Sequence, residues 1–348
     1  MANRYGRLSE LRLRAEVRDG ATIIADQFAT MPFKVMRPFA VSRDVLPGFS
    51  SDTASARAQG STADACEKGV LAWDTMPSRE VAPAQEVVPA QVMVMSVSAG
   101  IMAGDEQRID VKVGPDAVLQ MTTQSFEKIH RMEEGAHAER ATRLRVASGA
   151  YLDYSPLPQI PFAGSAFTSE TTIELADKTA RLVYGEILSA GRVARGERFA
   201  YRWYRNHVRV SVAGRPIFLD NTFYESTGAA GELASGGFGA GVPAGVAPLA
   251  MDMEGFGLYE GYTHLANLVL VNLGISDETF TAVRGYLREV TGTIGASAMP
   301  APATGVSTGD DEVAGGITRL ASGDCVVKLL GRRAQRLQDV LEHVRALL

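Results

Sequence analysis

From Leu11 to Val17 apolar and polar residues alternate, with Leu11, Leu13, Ala15 and Val17 on one side and Arg12, Arg14 and Glu16 on the other, which predicts a half-buried strand. Asp19 and Gly20 then turn the chain into a returning strand over Ala21 to Ala25, so the first predicted unit is a hairpin. Met31 to Phe39 is extended, because Pro32 and Pro38 each bias the preceding residue away from helix. Further on, one plan recurs in VKVGPDAVLQMT from Val111, LRVASGAYLDYS from Leu144, IELADKTARLVYGE from Ile173 and VRVSVAGRPIFLD from Val208, with starts 33, 29 and 35 residues apart. Each copy has a charged alternating strand, a small or polar turn and a more apolar strand, and Leu13 to Ala25 is a looser fifth. A lone hairpin is marginal in water, so repeated ones predict stacking into a sandwich or a solenoid-like array.

Elsewhere the alternation stops. Ser42 to Pro89 carries Gly, Ser, Ala, Asp and four prolines with little periodicity and reads as a long, partly disordered loop that Trp73 pins locally. Gly228 to Gly257, containing GGFGAG, is a second loop and Thr293 to Asp311 a third. Leu265 to Leu273 is an apolar strand. Ser276 suits the N-cap of a helix running to about Val290, with Asp277 and Glu278 in its first turn. Gly316 to Leu320 and Cys325 to Leu330 flank a Ser322-Gly323-Asp324 turn as a hairpin. In the closing segment Arg332 to Leu348, residues Leu337, Val340, Leu341, Val344 and Leu348 fall on one helical stripe. The predicted fold class is mainly β: stacked hairpins form a superhelical, solenoid-like β body over 1–260, interrupted at about 42–89 and 228–257, with a small α+β part over 261–348 packed on it as one structural unit.

Inside this plan, Val92 to Asp105 joins an apolar run, Val92 to Met95, to a small-residue turn ending in a carboxylate. Gly100 and Gly104 permit backbone angles or approaches that a side chain forbids, so the stretch predicts a tight turn presenting Asp105.

Composition removes several function classes. The 348 residues are 46% hydrophobic and 22% charged with a net charge of −5, a soluble balance that argues against a nucleic-acid surface. Cys66 and Cys325 form no C-x-x-C pair, so neither a disulfide framework nor a zinc site is expected, as in a reducing cytosol. Charges run through the N-terminal windows and no apolar run is long enough to span a bilayer; a cytoplasmic protein without a membrane is expected. There is no G-x-x-x-x-G-K-[ST] run, and the loose G-x-G-x-x-A at Gly239 to Ala244 holds Pro243 and follows no strand. His130, His137, His207, His264 and His343 show no metal-ligand spacing. Ser98 makes half of a hydrolase elbow, with Gly100 on one side but Ser96 on the other. What remains is a set of charges near glycines at strand ends: Asp105, Lys128, Glu186, Arg192 and Glu197. Oxygen ligands alone hold an ion such as Ni²⁺ or Zn²⁺ weakly, which suits transfer rather than storage. A hydrolase using Ser98 or a carboxylate pair such as Asp105 with Glu186, and a purely structural β-repeat adaptor, are the alternatives.

Taken in order, these residues resemble the urease accessory protein UreD family, called UreH in some organisms. Ser98 to Asp105 is similar to its P-G-G-[hydrophobic]-x-x-G-D, with Ser98 and Ala99 in place of Pro-Gly; Thr122, Thr123 and Lys128 match T-T-x-x-x-x-K, and Leu157 to Gly164 resembles L-P-x-x-x-x-F-x-G with altered spacing. Gly185, Glu186, Gly191, Arg192, Gly196 and Glu197 match G-E-[hydrophobic]-x-x-x-G-R-x-x-x-G-E; Met31 to Lys34 with Arg37 looks like the early basic segment, and His130 takes an aromatic position. The resemblance implies a mostly β, superhelical chaperone without turnover of its own. It would assemble with helical UreF and the GTPase UreG, dock on apo-urease and assist nickel delivery. It also implies that Asp105, Lys128, Glu186 and Glu197 line or shape an internal ion passage, with Asp105, Glu186 and Glu197 as transient nickel contacts, no permanent metal or cofactor, and a C-terminal part that contributes to docking.

Overall fold

The alternating segments are strands. The structure, a computed structural model, describes residues 8–49, 86–225, 252–255, 257–291 and 312–348; most of the three predicted loops, with Trp73 and Cys66, lies outside them. In chain order the strands are β1 (Leu8–Arg18), β2 (Ala21–Ala29), β3 (Phe33–Val35), β4 (Phe39–Ala40), β5 (Ala90–Ser96), β6 (Glu106–Val113), β7 (Val118–Thr123), β8 (Glu127–Ile129), β9 (Ala138–Val146), β10 (Tyr151–Tyr154), β11 (Gln159–Pro161), β12 (Ala166–Leu175), β13 (Arg181–Ser189), β14 (Trp203–Val212), β15 (Arg215–Glu225) and β16 (His264–Val271). There follow helix α1 (Asp277–Thr291), strands β17 (Val313–Arg319) and β18 (Cys325–Gly331), and helix α2 (Ala334–Ala346).

They form two sheets. One has seven strands in the order β15-β14-β12-β9-β6-β1-β2; the other has eleven, β17-β18-β16-β13-β10-β7-β5-β3 with β4, β8 and β11 alongside. Three of the predicted hairpins are corrected here. β6 and β7, β9 and β10, and β12 and β13 do not pair with each other: each first strand lies in the seven-stranded sheet and each second strand in the eleven-stranded one. Like strands of successive copies pair in parallel instead, β6 with β9 with β12 and β7 with β10 with β13, so each copy is one turn of a β-solenoid. The connecting loops explain the difference. Asp19-Gly20 and Ala213-Gly214 have positive φ at both residues (51° and 73°, 49° and 75°), the type I′ geometry that closes a two-residue hairpin, and β1/β2 and β14/β15 are antiparallel pairs. The loops after β6, β9 and β12 are longer and carry the chain across to the other sheet.

Register stacks like residues in ladders. Leu13, Val111, Leu144, Ile173 and Val210 are Cα partners across five parallel strands and all are at most 2% exposed. Facing them, Ala90, Leu119, Leu152, Leu182 and Val271 form the matching row of the second sheet. Each fully buried Leu or Val here contributes about 1.5–3 kcal/mol. The second strand of each copy is more apolar because its sheet is covered on both faces: the stripe Leu337, Val340, Leu341 and Val344 of α2, with Val283 and Leu287 of α1, packs on Val183, Leu268 and Val327. Ser276 caps α1, its Oγ accepting the Thr279 N–H at 3.0 Å. The predicted C-terminal α+β part is thereby continuous with the body, since β16 pairs antiparallel with β13 and extends the same sheet.

Candidate functional site

Four residues before the apolar ladder on each strand runs a polar one. Ser9, Gln107, Arg140, Ser169 and Asn206 are Cα partners across β1, β6, β9, β12 and β14, face the space between the sheets and are at most 8% exposed. Buried polar groups tend to be satisfied from within the fold, and Arg140, Gln107 and the Asn206 amide nitrogen find partners there. The Arg140 guanidinium donates to Gln107 Oε1 (Nε 3.0 Å, Nη2 2.6 Å) and pairs with Glu127 of β8 at 2.5 Å. At the row's other end Asn206 meets Glu186.

Glu186 is the inward residue of β13 beside Tyr184. Its carboxylate accepts from the Asn206 amide (3.1 and 3.0 Å), from the Asn267 amide of β16 (2.7 Å) and from the Tyr184 hydroxyl (2.9 Å). Burial pushes this carboxyl above its ordinary value, and the three neutral donors pull it back only in part. Glu186, Asn206 and Asn267, with Gln159, Tyr204, Thr222 and Tyr224, bound a cavity of about 10 Å³.

The preceding residue, Gly185, faces the opposite side of the sheet. A Cβ there would stand 3.1 Å from Ser155 Oγ and 3.3 Å from Arg345 Nη2, so glycine leaves room for Arg345 of α2 to reach Asp153. Asp153 is fully buried and also accepts from Gln120 at 3.2 Å and Ser155 at 2.7 Å. A groove of about 600 Å³, lined among others by Gln91, Gln120, Ser155, Leu341 and Arg345, opens between α2 and this row.

The other predicted positions lie in separate settings. Gly100 has φ +143°, and a Cβ on it would come 2.3 Å from the Lys128 carbonyl, which accepts the Ile101 N–H at 2.8 Å. The tight turn is therefore pressed onto β8, and Gly104 (φ +77°) bonds to His137 O at 2.8 Å. Asp105 is half-buried and closes its own turn, Oδ2 accepting the Met102 N–H at 2.8 Å; burial raises its carboxyl and that bond lowers it. Lys128 is exposed, as is Arg37. The Ser98 hydroxyl lies 3.1 Å from Ser96 Oγ and 3.1 Å from Gly100 O. His130 sets its ring 4.9 Å from Phe162 and Nε2 2.9 Å from Ala99 O, so it fills an aromatic slot. Thr122 donates to Ser155 O at 3.0 Å and Thr123 accepts from Leu157 N at 2.9 Å, joining one solenoid turn to the next.

Arg192 and Glu197 do come together. Arg192 Nε donates to Glu197 Oε2 at 2.7 Å, its guanidinium lies 4.2 Å over Phe162, and Glu197 Oε2 also accepts from Ala163 N at 3.3 Å. Gly191 (φ +141°) allows the backbone to pass close to Glu197 O, and Gly196 (φ +80°) ends the short helical turn between them. Arg192 holds the Glu197 carboxyl below its ordinary value, so this motif is a loop clamp. Asp105, Glu186 and Glu197 share no partner, and among the described residues no group of three His, Cys, Asp or Glu gathers as a metal site.

Sequence reasoning missed Asn206, Asn267, Tyr184, Arg140, Asp153 and Arg345. The signal was parity: Asn206 falls in step with the inward Val208 and Val210, and Arg140 with Leu144.

The family model of the UreD urease accessory protein matches residues 74–348. Curated relatives include urease accessory protein UreD of Acetivibrio thermocellus, 30% identical over 348 residues and all of both chains. UreH of Helicobacter pylori strain G27 is 30% identical, covering 99% of this chain and 96% of its own, and UreD of Actinobacillus pleuropneumoniae serotype 7 is 26% identical over 72% and 79%. With a family model that matches residues 74–348 and relatives that match along the whole chain, this protein belongs to the UreD family of urease accessory proteins.

Proposed function

We propose that this chain, as an accessory protein of urease maturation, works in the cytoplasm as a chaperone without turnover of its own, assembling with UreF and the GTPase UreG on apo-urease to assist nickel delivery. Glu186 carries the reading. It is an interior carboxylate whose hydrogen-bond partners, Tyr184, Asn206 and Asn267, are all neutral, so none of them cancels its charge. Oxygen donors alone hold nickel loosely, which favours release. Of the three candidate contacts, Glu197 is paired with the Arg192 cation and Asp105 sits half-buried in a turn that it closes itself, so Glu186, the interior one without a cationic partner, is the position to which the reading assigns nickel contact.

The exposed apolar residues Met31, Val97, Met102 and Phe126 support a protein-binding role. Co-expression with UreF and UreG is expected to yield a co-purifying complex, and a deletion strain to make urease protein without activity. Full urease activity in that strain, with no paralogue present, would overturn the proposal.

A further inference from the structure

We infer that the cavity beside Glu186 holds one water molecule, which donates its two hydrogens to the side-chain oxygens of Asn206 and Asn267. Both amides point their nitrogen at the Glu186 carboxylate. The reverse orientation would set carbonyl oxygens against carboxylate oxygens, so hydrogen bonding decides which end is which. That leaves Asn206 Oδ1 and Asn267 Oδ1 turned away from the carboxylate. Both are buried and accept no hydrogen bond among the described residues, on side chains 7% and 3% exposed.

Two buried acceptors left without donors would carry the full cost of their desolvation. Of the hydroxyls that line it, Tyr204 donates to Gln159 at 3.2 Å and Thr222 to Asp220 at 2.8 Å, and the neighbouring Tyr184 hydroxyl is committed to Glu186. The cavity leaves about 10 Å³ for the centre of a guest, room for a single water. Two neutral acceptors match a donor of two hydrogens. A bare hard cation would ask for about six oxygens, and here amide N–H groups occupy the carboxylate. The water joins β14 of one sheet to β16 of the other, and any group arriving at Glu186 from this side must replace it at both acceptors. This holds whether or not Glu186 contacts nickel.

The test is a crystal structure of the full chain, alone or with a co-purifying partner, at a resolution that shows buried waters, with anomalous data from crystals soaked in Mn²⁺ and in Rb⁺. The expected result is one peak about 2.7–3.1 Å from both Oδ1 atoms with no anomalous signal. An empty cavity, or an anomalous scatterer in it, overturns the inference.

Discussion

Arg345, in the last turn of α2, places Nη1 2.7 Å from the carboxylate of Asp153, a β10 residue with no exposed surface. The pair fastens the C-terminal helix to the outer face of the solenoid, one residue over from the strand position that turns Glu186 inward. Replacing Arg345 by Met leaves a buried carboxylate without its cation and is expected to lower stability by about 3–5 kcal/mol. Combining it with Asp153→Asn should recover much of that loss, because the remaining group is neutral. Denaturant unfolding of the full chain measures both; an Arg345→Met protein as stable as wild type would show that the pair does not hold the helix.

Two glycine substitutions should act in opposite directions. Gly100→Ala puts a Cβ 2.3 Å from the Lys128 carbonyl at φ +143°, so the turn must open, and a loss of at least about 1–3 kcal/mol is expected. Gly285 lies inside α1 with open space around it, and Gly285→Ala should stabilise by about 0.5–1 kcal/mol. Paired thermal melts check the signs.

His264 predicts acid sensitivity. It is 8% exposed, and its Nδ1 lies 2.9 Å from the Thr263 hydroxyl, whose own proton goes to Arg332 O, so Nδ1 carries a proton and donates. Burial lowers its pKa from 6.5 to about 4, against a smaller opposing effect of the Arg332 backbone. Between these values the unfolded chain binds the extra proton and the fold does not, so stability falls as pH drops through the window, and the loss is complete below about 4. From about pH 7 to about pH 5 the His264 contribution is a loss of about 2 kcal/mol. The Gln variant should lack that part of the pH dependence; equal slopes for the two proteins would refute the assignment.

Strand positions and buried faces were legible in the sequence, because alternation is a local property. Leu11, Leu13 and Ala15 are buried while Arg12 and Arg14 are exposed, and the four apolar positions from Leu337 to Val344 form the buried stripe of α2. Pairing was not legible from alternation. What distinguished the hairpins at Asp19-Gly20 and Ala213-Gly214 from the crossings after Val113, Val146 and Leu175 was loop length, two residues against four or five, and that signal was available. The site divides in the same way. Motif order brought Arg192 and Glu197 together and marked Glu186, but the partners of Glu186 lie 20 and 81 residues away on β14 and β16. Only the sheet topology could join them.

Asp105→Asn is expected to support urease maturation, because an amide oxygen can still accept the Met102 N–H that closes the turn. Urease activity in complemented deletion cells measures this, and loss of activity with normal protein levels would give the carboxylate charge a role the turn does not explain.

The central claim is that urease maturation depends on the charge of Glu186. The most direct measurement is urease activity in cells lacking this gene, complemented with wild type or with Glu186→Gln, alongside the amounts of urease and of this chain. Wild type should restore activity, and Glu186→Gln, present at the same level, should leave urease made but largely inactive. Full activity with Glu186→Gln would contradict the account.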